Sequence, residues 1–257
     1  MSYLENINNH PNDMNVSLDE ESHIYNIQGD KSFISTTTFI HPLFDKFDSD
    51  KIINNMMNSP NWTKNKYYGM TKQEIIDLWE NNKIAAATAG TKLHADIENH
   101  YNKVNVDNES VEFNYFINFY NDYKNLLEPY RTEWIVYDKK LKIAGSIDMV
   151  FLNTKQTNNL GYEVLDIYDW KRSKEIVKIN NFNKWGLKNC VSHLPDTNFW
   201  HYALQLNIYK YILEKNYNKH IGKMVLVCLH PNNLNNSYQL FEVPNLQNEI
   251  CSLFNIL

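Results

Sequence analysis

The chain has 257 residues, 43% hydrophobic and 14% aromatic, with only 7 Gly and 7 Pro. That composition excludes a disordered or collagenous chain and suffices for one large domain, or a core with a modest extension. A formal net charge of −5 excludes the global basic field of a histone-like coat, but not a nuclease, whose carboxylates and bound cations reset the local sign.

The three cysteines, Cys190, Cys228 and Cys251, are far apart and form no C-x-x-C pair. Neither a zinc framework nor a disulfide scaffold is expected, and a reducing compartment fits best. The opening MSYLENINNHPND is polar rather than basic-then-apolar, so a secretory leader is not expected. With no apolar run near the ~20 residues of a membrane span, the chain reads as soluble and intracellular, in cytoplasm, nucleus or a viral replication site.

Taken in order, residues 1 to about 20 are polar and Asn-rich and are expected to form a loosely held arm. His23–Ile27 and Lys31–Ser35 read as short strands around Gln28-Gly29-Asp30, and a helix capped by Asp48 or Ser49 runs to about Met57. Thr71-Lys-Gln-Glu74 is a capping box that opens a helix. A separate helix is expected from about Thr88–Gly90 through Leu93, Ile97 and His100. A third, Val111 to Leu127, carries an apolar stripe (Phe113, Phe116, Ile117, Tyr120 and Leu126) that reads as core, with a base-stacking platform as the lesser alternative.

The pattern then switches to strands: Glu133–Tyr137, Leu141–Leu152 and Tyr162–Trp170, with Lys139-Lys140 as a tight turn and a hairpin-like connection through Asn153, Asn158, Asn159 and Gly161. A loop with Gly186 and Pro195 leads to a long helix, Phe199 to Glu214. Strands at Gly222–Leu229 and Tyr238–Val243 and a terminal helix at 246–254 complete the chain. The expected division is residues 1–70 as an N-terminal extension and 71–257 as an α/β core with a mixed central sheet flanked by helices.

The chemistry concentrates between Gly145 and Lys174. Asp148 interrupts one apolar strand, and Asp169 and Lys171, two apart, share a face at the end of the next. Two carboxylates and a lysine meeting there repel and lose solvation unless a cation sits among them, and a divalent metal is the simplest such cation. Singly, each motif is weak: D-x-K can be a surface ion pair and Asp148 a cap. Asp166, three before Asp169, falls on the opposite face of a regular strand and gets no metal role, although a β-bulge would overturn that. Gly90, His94 and Glu98 succeed one another along one helical stripe, where a glycine permits close backbone approach and a histidine can ligate. Gln205 and Tyr209 share a helix face and can hold a phosphate or base edge by neutral hydrogen bonds. Lys171, Arg172, Lys174, Lys178, Lys184 and Lys188 form either a phosphate-tracking segment or a solvated basic face.

In this order, G-x-x-x-H (Gly90 to His94) with Glu98, G-S-x-D (Gly145 to Asp148), D-W-K (Asp169 to Lys171) and Q-x-x-x-Y (Gln205 to Tyr209) resemble the RecB-type branch of the PD-(D/E)xK nucleases. The resemblance implies a restriction-endonuclease-like core and a Mg²⁺- or Mn²⁺-dependent deoxyribonuclease, with an exonuclease on single-stranded or free DNA ends as the expectation. It implies metal ligation by His94, Asp148, Asp169 and the Trp170 carbonyl, and catalysis by Asp148, Asp169 and Lys171. It also implies substrate contacts from Gln205 and Tyr209, joined by Arg172 and Lys174 from the basic segment, with support from Gly90 and Glu98. Three cysteines cannot build the four-cysteine iron–sulfur cluster of some relatives, and helicase motifs are missing. Whether one or two ions bind, and whether Lys171 acts as base or donor, stay open. A catalytically inactive DNA-binding subunit and an RNA-directed nuclease are the alternatives.

Overall fold

The computed structural model describes residues 2–19, 22–180 and 182–255. Its helices are α1 (Tyr3–Ile7), α2 (Thr36–Ile40), α3 (Ser49–Met57), α4 (Lys72–Tyr101), α5 (Val111–Tyr123), α6 (Thr154–Leu160), α7 (Asn198–Asn216) and α8 (Gln247–Asn255). Its strands are β1 (Val16–Asp19), β2 (Ile24–Ile27), β3 (Asp30–Ser35), β4 (Glu128–Asp138), β5 (Ile143–Leu152), β6 (Val164–Lys171), β7 (His220–Cys228) and β8 (Gln239–Glu242). They divide between two compact units, Met1–Asp45 with Leu93–Leu257 and Lys46–Lys92.

In the larger unit the strands form one mixed, mostly antiparallel open sheet in the order β1-β2-β3-β5-β6-β7-β8, with β4 on β5. β5 is the hub. β4 runs antiparallel along it from Glu128↔Leu152 to Asp138↔Ile143. Its other partners share it end to end: β3 pairs in parallel with Ile143 and Ala144, and β6 pairs antiparallel with Met149 to Leu152. The register of these pairs leaves residues 145–148 between them, where the sheet splays. β6 and β7 are parallel and therefore need a crossover. α7 supplies it.

Two apolar clusters hold helices to this sheet. One joins Ile143, Ile147, Val150, Leu165 and Ile167 to α7 and α8 through Leu204, Ile208, Ile212, Ile250 and Leu253. The other joins Met149, Phe151, Tyr168, Trp170 and Val225 to Leu93, Ile97 and Tyr101 of α4 and to Phe113, Phe116 and Phe119 of α5. Phe113, Phe116 and Phe119 are buried in this cluster and Ile117 and Tyr120 pack against it half-buried, so core packing explains these positions, whereas Leu126 lies beyond α5 and is exposed.

The N-terminal residues, apart from Met1 and Glu20, which lie outside the described residues, correct the loose-arm expectation. Ser2 and Glu5 form a reciprocal capping box on α1, Leu4 is buried, and Leu4 N donates to Asn102 Oδ1 at 2.9 Å. Asp13 then accepts from Arg131 Nη1 at 2.6 Å and Trp134 Nε1 at 2.9 Å, which pins the segment to β4. Polar composition suggested mobility, but these polar side chains find buried partners.

Two other expectations change. α4 is one helix of 30 residues, because the Ala85-Ala86-Ala87 run has high helix propensity even without an apolar stripe. The connection between β5 and β6 is a helix, α6: the Asn153 side chain accepts from Gln156 N as its N-cap, and Gly161 closes it in the left-handed region at φ 76°. In the smaller unit the Asp48 side chain caps α3, Ile53 and Ile75 are buried, and Trp79 Nε1 donates to Tyr67 Oη at 2.9 Å. Among the described residues no helix is long and apolar enough to cross a membrane.

Candidate metal centre

The splayed stretch of β5 carries Asp148. In a regular strand Ile147 and Met149 would share a face. Here Ile147 packs on the α7 side and Met149 on the α5 side, with Val150 and Phe151 continuing that shifted alternation. The alternation slips by one at Asp148. Across the ladder the register runs Thr132↔Met149 and Trp134↔Ile147, so Glu133 stands opposite Asp148. Glu133 has φ 42°, a left-handed backbone costing roughly 1–2 kcal/mol for a residue with a Cβ. Strained backbone of this kind concentrates at functional sites.

Two carboxylates opposite each other on adjacent strands repel. The surrounding groups show what offsets this. His94, on α4, places Nδ1 3.5 Å from Asp148 Oδ2 and 3.8 Å from Glu133 Oε1. Glu133 Oε2 accepts from Ser146 Oγ at 2.8 Å, and Asp148 Oδ2 accepts from Trp170 N at 2.8 Å. Ligand atoms of His94, Glu133 and Asp148 all lie within 4.8 Å of one another, close enough to hold one metal ion.

Asp169, one strand over on β6, is 1% exposed. Lys171 Nζ lies 2.5 Å from its Oδ2, whereas Oδ1 has no hydrogen-bond partner among the described residues. A buried carboxylate oxygen without a donor is costly. Asp169 lies outside the His94–Glu133–Asp148 group, though the charges of Asp148 and His94 reach it, and a cation nearby would supply the partner its bare oxygen lacks.

The electrostatics carry the same signature. Burial works against charge on His94, but Asp148 and Glu133 outweigh it and raise its pKa to about 9. Burial, and then the charge of Asp148, raise Asp169 to about 6, and burial raises Asp148 as well. Burial also works against the Lys171 ammonium, but Asp169 and Asp148 push its pKa above the ordinary lysine value. Lys171 Nζ also lies 4.7 Å from the centre of the Tyr202 ring.

The other expected site residues take varied places. Gln205 Nε2 donates to Tyr209 Oη at 3.0 Å, and Thr36 Oγ1 donates to the same oxygen at 3.2 Å. Tyr209 is buried, so it supports the site from beneath. A Cβ on Gly145 would lie 2.5 Å from Tyr209 Cε1, and that close approach seats α7 on the splayed stretch of β5. Arg172 Nε donates to Glu112 Oε1 at 2.7 Å, whereas Lys174 is exposed. For Trp170, the contact with the site is its N–H on Asp148.

One expectation needs correction: a Cβ on Gly90 would meet nothing within 4 Å, so no backbone presses on it. Glu98, one turn beyond His94, lines a cavity of about 280 Å³ together with Glu133 and Arg131.

Asp166 keeps out of the metal cluster even though a bulge is present. The register shift falls opposite it, in β7. Asp166 Oδ1 accepts from Lys223 N at 2.7 Å, and its oxygens accept from Asn153 Nδ2 at 3.0 and 3.2 Å, so the carboxylate serves the bulge. Glu133 is the functional candidate that sequence reasoning missed. Counting back from the β4–β5 turn pairs it with Asp148, and that register was the available signal. No protein-family model and no curated protein matches the chain.

Proposed function

We propose that this chain is a metal-dependent nuclease that hydrolyses phosphodiester bonds in DNA, with the restriction-endonuclease-like core of the RecB-type enzymes. One observation carries the reading: His94, Glu133 and Asp148 lie close enough to hold one metal ion, with a buried, under-partnered Asp169 and its Lys171 partner on the neighbouring strand. The mixed sheet and the order of the four motifs along the chain support it further.

When bound, a Mg²⁺ or Mn²⁺ ion supplies Lewis acidity toward a phosphate oxygen and a more acidic water. His94, Glu133, Asp148 and Asp169 would hold it. Lys171 would donate a hydrogen bond to a phosphate oxygen or to the attacking water, or take a proton from that water. Trp170 N holds the Asp148 carboxylate in place, while Gln205 and Thr36 fix the Tyr209 hydroxyl under β5. An exonuclease acting on single-stranded ends is the form of the activity proposed.

The test uses purified protein with end-labelled single-stranded DNA, double-stranded DNA and single-stranded RNA, in Mg²⁺, Mn²⁺ or EDTA. Cleavage of single-stranded DNA that EDTA abolishes and Asp169→Ala abolishes is the expected result. Cleavage undiminished in Asp169→Ala, or undiminished by EDTA, overturns the assignment. Cleavage confined to RNA overturns the substrate.

A further inference from the structure

The segment between β6 and α7 presents apolar side chains to solvent in a concentration that core packing does not explain. Ile179, Phe182, Trp185 and Leu187 are 76, 82, 45 and 57% exposed, four large apolar groups within nine residues. Connections this long without regular structure are usually functional. Between Glu175 and Asp196 the sequence has no acidic residue but contains Lys178, Lys184 and Lys188. Lys174 and Lys188 are exposed and make no ion pair among the described residues, and Lys184 has only an exposed partner, Asp45, at 3.6 Å.

The segment is built rather than slack. Asn180 Oδ1 accepts from Phe182 N at 3.0 Å and Lys184 N at 3.2 Å, and Asn180 Nδ2 donates to Lys184 O at 2.6 Å. The turn so formed carries Phe182 at its tip. Trp185 Nε1 donates to Asn183 Oδ1 at 3.1 Å, which orients the indole. Below it, Asp196 N donates to Lys184 O at 2.9 Å and Gly186 N to Leu194 O at 3.0 Å. A Cβ on Gly186 would lie 2.3 Å from Val191 O, so the two arms of the loop meet without room for a side chain. Exposed aromatics are thus held on a fixed base.

That base is tied to the candidate centre through α7. Trp200 Nε1 donates to Lys178 O at 3.0 Å, and Lys178 Nζ lies 4.5 Å from the Phe199 ring centre. Two residues on, Tyr202 lies against Lys171, about 3 Å further along the helix at 1.5 Å per residue. From Lys178 the four residues to Phe182 span at most about 14 Å. Neighbouring residues of α7 thus hold both the root of the loop and Lys171.

We infer that Phe182 and Trp185, with Lys174, Lys178 and Lys188, form a stacking platform for single-stranded nucleic acid leading into the centre. Unpaired bases offer flat π faces to aromatic rings without sequence preference, and lysines follow the backbone phosphates. A duplex keeps its bases stacked inside and cannot use such rings, so the platform selects single strands. The inference rests on the nuclease reading only for what the platform serves.

The test is fluorescence anisotropy of a labelled 20-nucleotide oligothymidine with the full-length protein in EDTA, where binding is read without cleavage. Phe182→Ala should weaken binding about 5- to 160-fold, from roughly 1–3 kcal/mol per stacked base, while Phe182→Trp restores it. Lys188→Ala should lower the slope of log K against log salt by about 0.7. Melting temperatures within a degree or two of wild type show that the exposed substitutions leave the fold intact. Equal binding by wild type and Phe182→Ala overturns the platform, even if wild-type protein cleaves DNA. Loss of binding in Phe182→Ala supports it, even if no cleavage is seen with any metal. Loss of binding to phosphatidylserine vesicles with unchanged oligonucleotide binding overturns it in favour of a lipid surface.

Discussion

Replacing Glu133 with Gln removes one carboxylate charge from the centre and little else. The side chain keeps its length, Ser146 Oγ can still donate to the amide oxygen from 2.8 Å, and the φ of 42° is unchanged. Metal-free stability should therefore stay within about 1 kcal/mol of wild type, the worth of one hydrogen bond. Metal-linked stability should not. At a Mn²⁺ concentration 100 times the wild-type Kd, binding adds about 2.7 kcal/mol to folding. For a chain of this size that raises Tm by roughly 5–11 °C. If losing the Glu133 charge weakens Mn²⁺ binding 10- to 100-fold, as loss of a metal-supporting residue commonly does, the gain shrinks to about 0.4–1.4 kcal/mol. Differential scanning fluorimetry at that fixed Mn²⁺ concentration reads the difference. A Glu133→Gln protein that gains as much Tm as wild type refutes the placement of Glu133 among the ligands. A metal-free protein that loses several kcal/mol shows instead that Glu133 serves the fold.

Three further outcomes follow from the same geometry. Gly145→Ala places a methyl 2.5 Å from Tyr209 Cε1 and should cost about 1–3 kcal/mol by overpacking, read as a lower urea midpoint; Gly145→Ala with Tyr209→Leu should recover part of that loss. Asp166→Ala strands Lys223 N and Asn153 Nδ2 and should cost about 1–3 kcal/mol, with Mn²⁺ affinity by calorimetry unchanged. His94 has a folded pKa raised to about 9, so its stabilisation is complete below its ordinary 6.5 and fades as pH rises through 9, by at most roughly 3 kcal/mol. Chemical denaturation of metal-free protein at pH 6 and pH 9.5 checks this, and His94→Gln should flatten the slope.

Much of the scaffold was legible because its signals are local. The Asp48 cap, the Thr71–Glu74 capping box and the apolar run of β5 each specify an element from a few neighbouring residues. The pairing of Asp169 with Lys171 followed from strand periodicity alone. What escaped depended on partners distant in sequence. Asp13 is fixed by Arg131 and Trp134, and nothing near Asp13 announces it. α6 was missed although Asn153 and Gly161 are proper cap residues, because six polar residues and a single Leu160 between them show no apolar stripe. Glu133 was hidden by its regular-looking strand: only the register of β4 on β5, with the left-handed backbone at that point, turns it toward His94 and Asp148.

Single-turnover cleavage of a labelled single-stranded oligonucleotide by Lys171→Ala, beside wild type and with Mn²⁺ bound in both, tests the central claim most directly. Lys171 touches Asp169 but is not a metal ligand, so the variant should still bind Mn²⁺. Its cleavage rate should fall by about 100-fold or more, the usual cost of removing a donor from a developing charge. A Lys171→Ala protein that binds Mn²⁺ and cleaves at the wild-type rate would contradict the proposal that this centre hydrolyses phosphodiesters.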